Sequence, residues 1–252
     1  PLRRSMAPVR ALFERVLPLA GMPAAQPRHR RPAGDDAAGW IAGTVRAHPG
    51  EVTVVAIGPM TNLALAVQRD PDVAALAHEF VLMAGSVTAY AQNITTVGDF
   101  NTYVDPEALR VVLESGARIR MVGIDQTSRV RLTREHAQRF RSRGTDLGLW
   151  LAECIDRWID FLHAALPARP EHAYSCFLHD PLTIAAVSHP ALLTWEPAHV
   201  AVECDSELAL GLVVADRGLA LRPADPPNAL VAVDTDVDGF LDMCLTRLDG
   251  FL

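Results

Sequence analysis

Residues 52–64 read Val52-Thr53-Val54-Val55-Ala56-Ile57-Gly58-Pro59-Met60-Thr61-Asn62-Leu63-Ala64, and this stretch decides the fold. The run over 52–57 is continuous and β-branched, the pattern of a strand covered on both faces. Gly58-Pro59 turns the chain, and residues 61–68 carry helical periodicity. Downstream the same alternation returns. Residues 80–83 form a second apolar run ended by Ala84-Gly85. Asp105-Pro106 opens a helix that runs to Glu114, with proline in its first turn, and Gly116 stops it. Residues 119–124 make a third buried strand. Strands alternating with helices predict right-handed crossovers and an open, mostly parallel α/β sheet with helices on both faces.

The flanks are less regular. Residues 5–20 have helical spacing with Ser5 as cap, residues 22–39 read as a Pro/Arg/Gly loop, and Asp35-Asp36-Ala37 reads as a helix start before a helix at 40–47. Helices are expected at 133–143, 146–166 and 181–188, strands at 200–203, 212–214 and 230–233, and a closing amphipathic helix at 236–248. No repeat or low-complexity tract interrupts the 252 residues, and one domain over 1–252 is expected.

Composition excludes several classes of function. The net charge is −7, all 23 basic residues are arginine, and the one basic cluster, Arg28-His29-Arg30-Arg31, lies between prolines. No basic stripe suggests a nucleic-acid partner. No apolar run reaches the ~18 residues of a bilayer span, so no membrane partner is expected. Cys154, Cys176, Cys204 and Cys244 show no Cys-x-x-Cys spacing. They read as buried apolar residues of a cytoplasmic protein. No dinucleotide fingerprint, P-loop or G-x-S-x-G element is present. The opening Pro1-Leu2-Arg3-Arg4 predicts a processed product or fragment.

In open α/β sheets ligands bind outside the carboxyl ends of the strands. The polar residues there are Thr61 and Asn62 after the first strand, the long segment 86–104 with Asn93, Asp99 and Asn101 after the second, and Asp125-Gln126-Thr127 after the third. His179-Asp180 is a further candidate. From the residues alone, the 86–104 loop is either a functional loop or ordinary turn chemistry. His179-Asp180 is either a functional pair or a helix cap beside a packed ring. An all-helical His/Asp metal phosphohydrolase is the competing enzyme reading, and the strand pattern argues against it.

These pieces resemble the inosine–uridine-preferring nucleoside hydrolase family. Residues 54–64 look like its GPLTNLA turn, and residues 80–85 are similar to the strand end that carries its MGG. Residues 98–108 are similar to AEFNxYxDPEA, and residues 178–182 match HDPLA. The resemblance implies cleavage of the N-glycosidic bond of ribonucleosides at a Ca2+ site. Dimers or tetramers and a small-molecule nucleoside substrate are implied with it. It further implies that Thr61 gives a backbone carbonyl and Asp180 a carboxylate to calcium. Asn93, Asp99 and Asn101 would hold the ribose hydroxyls, with Met83 beneath the sugar. A protonated His179 would donate to the leaving base. Calcium suits such oxygen donors and helps ionise a bound water. Carboxylate and amide oxygens stabilise oxocarbenium character on the sugar.

Two departures stand out. Asp99 replaces the family's Glu, one methylene shorter. The aspartate-rich DTDPGIDDA loop, which carries most of the calcium carboxylates, has no counterpart here. A strand–helix–strand unit at the N-terminus is therefore expected to be absent. Two expectations follow: a hydrolase read without its first segment, or an inactive homologue that binds nucleoside or ribose.

Overall fold

The structure, a computed structural model, describes residues 34–88, 94–166, 169–220 and 225–252. The helix expected at 5–20 lies outside the described residues. The chain divides into two compact units. One takes in Ala33–Ser128 and His179–Asp236, the other Arg129–Leu178 and Val237–Leu252.

The first unit is built on a mixed sheet. Helix α1 (Ala37–Ala47) begins where Asp36 accepts a hydrogen bond from the Gly39 amide at 3.0 Å, the expected helix start. There follow β1 (Thr53–Ala56), α2 (Thr61–Arg69), α3 (Asp72–Leu76), β2 (Glu79–Met83), α4 (Phe100–Val104), α5 (Pro106–Leu113), β3 (Ile119–Val122) and α6 (Ile124–Thr127). Three of the later strands complete the sheet: β6 (Leu193–Val202), β7 (Val213–Asp216) and β8 (Ala229–Thr235). Its order is β1-β2-β3-β8-β6-β7. The ladders from β1 to β8 are parallel, and β6 and β7 join antiparallel.

Strand alternation sorts the core. Phe80 and Leu82 of β2 and Ile119 and Met121 of β3 point to one face, where they cluster with Leu63 and Val67 of α2 and Leu109 and Val112 of α5. Val81 and Met83 point to the other, where helix α9 (His179–Ser188) packs on β2. Arg120 shares that face. Its guanidinium forks onto Glu79 at 2.7 and 2.5 Å, donates to the Ala186 carbonyl at 2.8 Å and lies over the Trp195 ring. A central strand thus keeps a charge because each guanidinium nitrogen meets an acceptor, two of them on a carboxylate.

The sequence reads a strand only over 200–203, yet β6 starts seven residues earlier at Leu193. Pro197 hides it, since proline argues against an inner strand. Pro197 pairs with Leu230 of β8, whereas β7 pairs only with residues 199–202 of β6. At Pro197 the strand is therefore an edge on that side, and no ladder bond needs the missing N–H. The loop read over 86–104 also ends early, because Asp99 caps α4 through the Asn101 amide.

The second unit pairs β4 (Arg131–Thr133) with β5 (Ser175–Phe177) antiparallel. Around them lie α7 (Arg134–Arg141), α8 (Asp146–Ala165) and α10 (Val237–Asp249). Leu132, Phe140, Ile155, Ile159 and Leu245 form its core. No described helix is long and apolar enough to cross a membrane.

His172 is 1% exposed, edge-on to the Phe177 ring at 5.1 Å, and neither ring nitrogen has a hydrogen-bond partner among the described residues. Burial holds its imidazole below the usual histidine value of 6.5. The unfolded chain therefore binds a proton that the folded one refuses. This penalty is absent above the unfolded value and grows as pH falls through it. Urea midpoints of the wild type should drop between about pH 7.5 and about pH 5, and His172→Leu should flatten that slope.

Candidate functional site

The carboxyl ends of β1, β2 and β3 are tied to one another by polar contacts. After β2 the chain turns at Gly85, with φ +65 and a would-be Cβ only 2.5 Å from the Val213 side chain. Only glycine fits both demands. The Gly85 carbonyl accepts from the Ile124 amide at 2.7 Å, which fastens the end of β2 to the end of β3.

Asp99 sits under this turn, 2% exposed. Its Oδ2 accepts from the Gly85 amide at 2.6 Å and the Thr102 hydroxyl at 2.7 Å, and its Oδ1 from the Asn101 amide at 2.9 Å. Burial pushes the carboxyl above the usual carboxylate range, opposed by these hydrogen bonds. The carboxylate is consumed by the protein. Asp99, expected to hold a ribose hydroxyl, also braces its neighbours: its carboxylate ties the Gly85 turn to the start of α4.

Asn101 is the residue Asp99 orients. Its Nδ2 donates to the Met83 carbonyl at 3.0 Å, lies 3.2 Å from the Met83 sulfur and reaches the Ile57 carbonyl at 3.4 Å. The side chain thus bridges the ends of β1 and β2. With the nitrogen spent, Oδ1 accepts no hydrogen bond from a described residue. The structure brings Met83 and Asn101 together as expected. Asn93 lies outside the described residues.

At the end of β3, a Cβ on Gly123 would lie 2.3 Å from the Asp125 carboxylate. Asp125, 8% exposed, takes the Val87 amide at 3.0 Å on Oδ1. On Oδ2 it takes the Thr88 amide at 3.0 Å and the Thr88 hydroxyl at 2.5 Å. Gln126 accepts from the Thr235 hydroxyl at 3.0 Å and donates to the Val233 carbonyl at 3.2 Å. Thr127, fully buried, contacts His179 Nδ1 at 2.6 Å through its hydroxyl.

Burial pushes the His179 imidazole down to about 4. Desolvation disfavours the charged form, so this burial favours a neutral ring near pH 7. Asp180 beside it is half-buried, its carboxyl pushed up by burial, and it accepts no hydrogen bond from a described residue.

The calcium expectation fits the described residues poorly. Thr61 is the first residue of α2, so its carbonyl is committed to the helix ladder; its hydroxyl bonds Asp105 at 2.5 Å. Among the described residues, no three His, Cys, Asp or Glu side chains group as metal ligands. Calcium takes about six to eight oxygens. Asp180 offers one carboxylate to that count and Thr61 at most one backbone carbonyl, which together fall short of it.

The family model for inosine-uridine preferring nucleoside hydrolase matches residues 11–242. The chain belongs to that family. The pyrimidine-specific ribonucleoside hydrolase RihA of Salmonella newport is 34% identical over 214 residues, 84% of this chain and 65% of that protein. The chain spans 64–65% of the length of the first curated relatives it matches. The purine-preferring ribonucleoside hydrolase from Gardnerella vaginalis superposes with a TM-score of 0.82 at 28% identity, over 96% of this chain and 74% of that one. A plant nucleoside hydrolase gives 0.79 at 28% identity, over 89% and 70%.

In this nucleoside hydrolase fold the sequence underrated the turn after β3. Asp125-Gln126-Thr127 stood out only as polar residues at a strand end, and nothing in their spacing marked them as the contacts that hold the β2 loop and His179. Asp125→Ala should take the acceptor from the Val87 and Thr88 amides, at about 0.5–1.5 kcal/mol for each hydrogen bond lost. Denaturant titration should register the loss, and hydrogen exchange should quicken at Val87 and Thr88. Unchanged exchange there would show that the carboxylate is not what holds the loop.

Proposed function

We propose that the protein hydrolyses the N-glycosidic bond of ribonucleosides to ribose and free base. Family membership supports the reaction class. The observation that carries it to this chain is the array at the strand ends: Asn101 braced on Met83, His179 braced on Thr127, and an Asp180 carboxylate that accepts no hydrogen bond from a described residue.

In the reaction, the bond from C1′ to the base nitrogen breaks and its electron pair goes to the base. The sugar takes oxocarbenium character. Water adds its oxygen to C1′, and the proton it releases ends on the base. Asn101 Oδ1 suits a ribose hydroxyl, with Met83 as an apolar floor, and Asn93 is proposed for the same sugar. The Asp180 carboxylate favours the positive charge growing on the ring. His179 acts as a neutral hydrogen-bond donor to the departing base and keeps its proton, a role a buried imidazole fills where an imidazolium is disfavoured.

Calcium is the ion a hard carboxylate oxygen such as Asp180's would suit. The described donors do not complete its shell, so no step here depends on it. A cytoplasmic location is supported by the four free cysteines. A homodimer or homotetramer rests on the family resemblance alone.

The test is ribose release from uridine, cytidine and inosine, with and without calcium. Release from at least one is expected, and His179→Ala should lower kcat by about 100-fold or more. No release from any nucleoside in either condition, with nucleoside or ribose still bound, would overturn the hydrolase reading in favour of a binding protein.

A further inference from the structure

We propose that Thr127 is the positioning residue for His179, its hydroxyl holding the imidazole in the tautomer that carries the proton on Nε2. The proposal rests on the reading that His179 faces the leaving base. It goes beyond that reading by naming the group that aims the ring.

Thr127 has one hydroxyl proton and two acceptors near it. His179 Nδ1 lies at 2.6 Å and the Ile124 carbonyl at 3.5 Å. Hydrogen-bond strength falls away well before the longer distance, so the close partner is Nδ1, with the Thr127 hydroxyl as donor and Nδ1 as acceptor in the proposed arrangement. A nitrogen that accepts carries no hydrogen, and the neutral ring must then keep its proton on Nε2. The bond made by one ring nitrogen decides the chemistry of the other.

The peg itself is rigid. Thr127 is fully buried, and its β-branched side chain has few rotamers. Its amide bonds the Gly123 carbonyl at 3.0 Å. Asp125 and Gln126 before it are tied to Thr88 and Thr235. On the other side, the Thr183 hydroxyl donates to the His179 carbonyl at 3.2 Å. Two fixed backbones and one short side-chain contact leave the ring little room to turn. The same 2.6 Å contact would serve a packed ring with no catalytic task, so the test must read more than stability.

The readouts are the tautomer of His179 and the leaving-group dependence of the rate. Nitrogen NMR of the ring, assigned by the signal lost in His179→Gln, should show one Nε2–H tautomer in the wild type. Thr127→Val keeps the shape and removes the hydroxyl. It should mix the tautomers and lower kcat on nucleosides by about 10- to 100-fold with KM little changed. A riboside with a nitrophenolate leaving group needs no donor at its leaving atom, so its rate should move by no more than roughly twofold. Thr127→Ser should restore both readouts, and Thr127→Ala replaces the valine variant if thermal melting shows that it does not fold. An unchanged tautomer, or equal slowing on both substrates, would overturn the proposal. A shifted tautomer in a protein whose wild type releases no ribose would uphold the Thr127 contact and sink the hydrolase reading instead.

Discussion

One short hydrogen bond, from the Ile124 amide to the Gly85 carbonyl at 2.7 Å, holds the ends of β2 and β3 side by side. Parallel strands all present their carboxyl ends on one rim, so whatever leaves that rim must be fastened across strands or it drifts. Asp99 fastens from the β2 side and Asp125 from the β3 side. Both carboxylates are nearly buried, and burial of a charge is costly unless it is met by donors. Each is met by three hydrogen bonds or more, with backbone amides among the donors. The electrostatic need of the carboxylate and the orphaned amides of the turns answer each other.

This division of labour separates the residues that build the rim from those left for a ligand. Asp99 and Asp125 spend their oxygens on the protein. Asn101 spends its nitrogen on Met83 and keeps an oxygen; Asp180 keeps its carboxylate. His179 gives Nδ1 to Thr127. Among the described residues, the Asn101 amide oxygen and the Asp180 carboxylate accept no hydrogen bond, a pair suited to a polyhydroxylated sugar. The neutral state of His179 follows from the same burial: a ring placed deep enough to be aimed accurately is too dry to hold a charge cheaply.

Much of this was legible in residue order. The β-branched run at 52–57, the apolar run at 80–83 and the Asp105-Pro106 helix start depend on local chemistry, and strands and a helix appear within them. The misreadings have local causes. Pro197 masked the first half of β6, because its tolerance depends on which neighbour that strand lacks at that point. Asp99 was assigned to the ribose by motif; its contacts with the Gly85 amide and the Thr102 hydroxyl were not legible there, because they depend on how the loop folds back.

By itself, the sequence determined the strand–helix alternation, the parallel half of the sheet, the residues that gather at the strand ends and the family. Those rest on periodicity, turn residues and short motifs, which act over a few positions. Tertiary structure alone decided that Asp125, not Asp99, latches the loop to β3, that Thr127 meets His179 across 52 residues of chain, and that the imidazole is neutral. Each of these depends on which polar groups meet in a water-poor space, and that is settled by packing between distant segments.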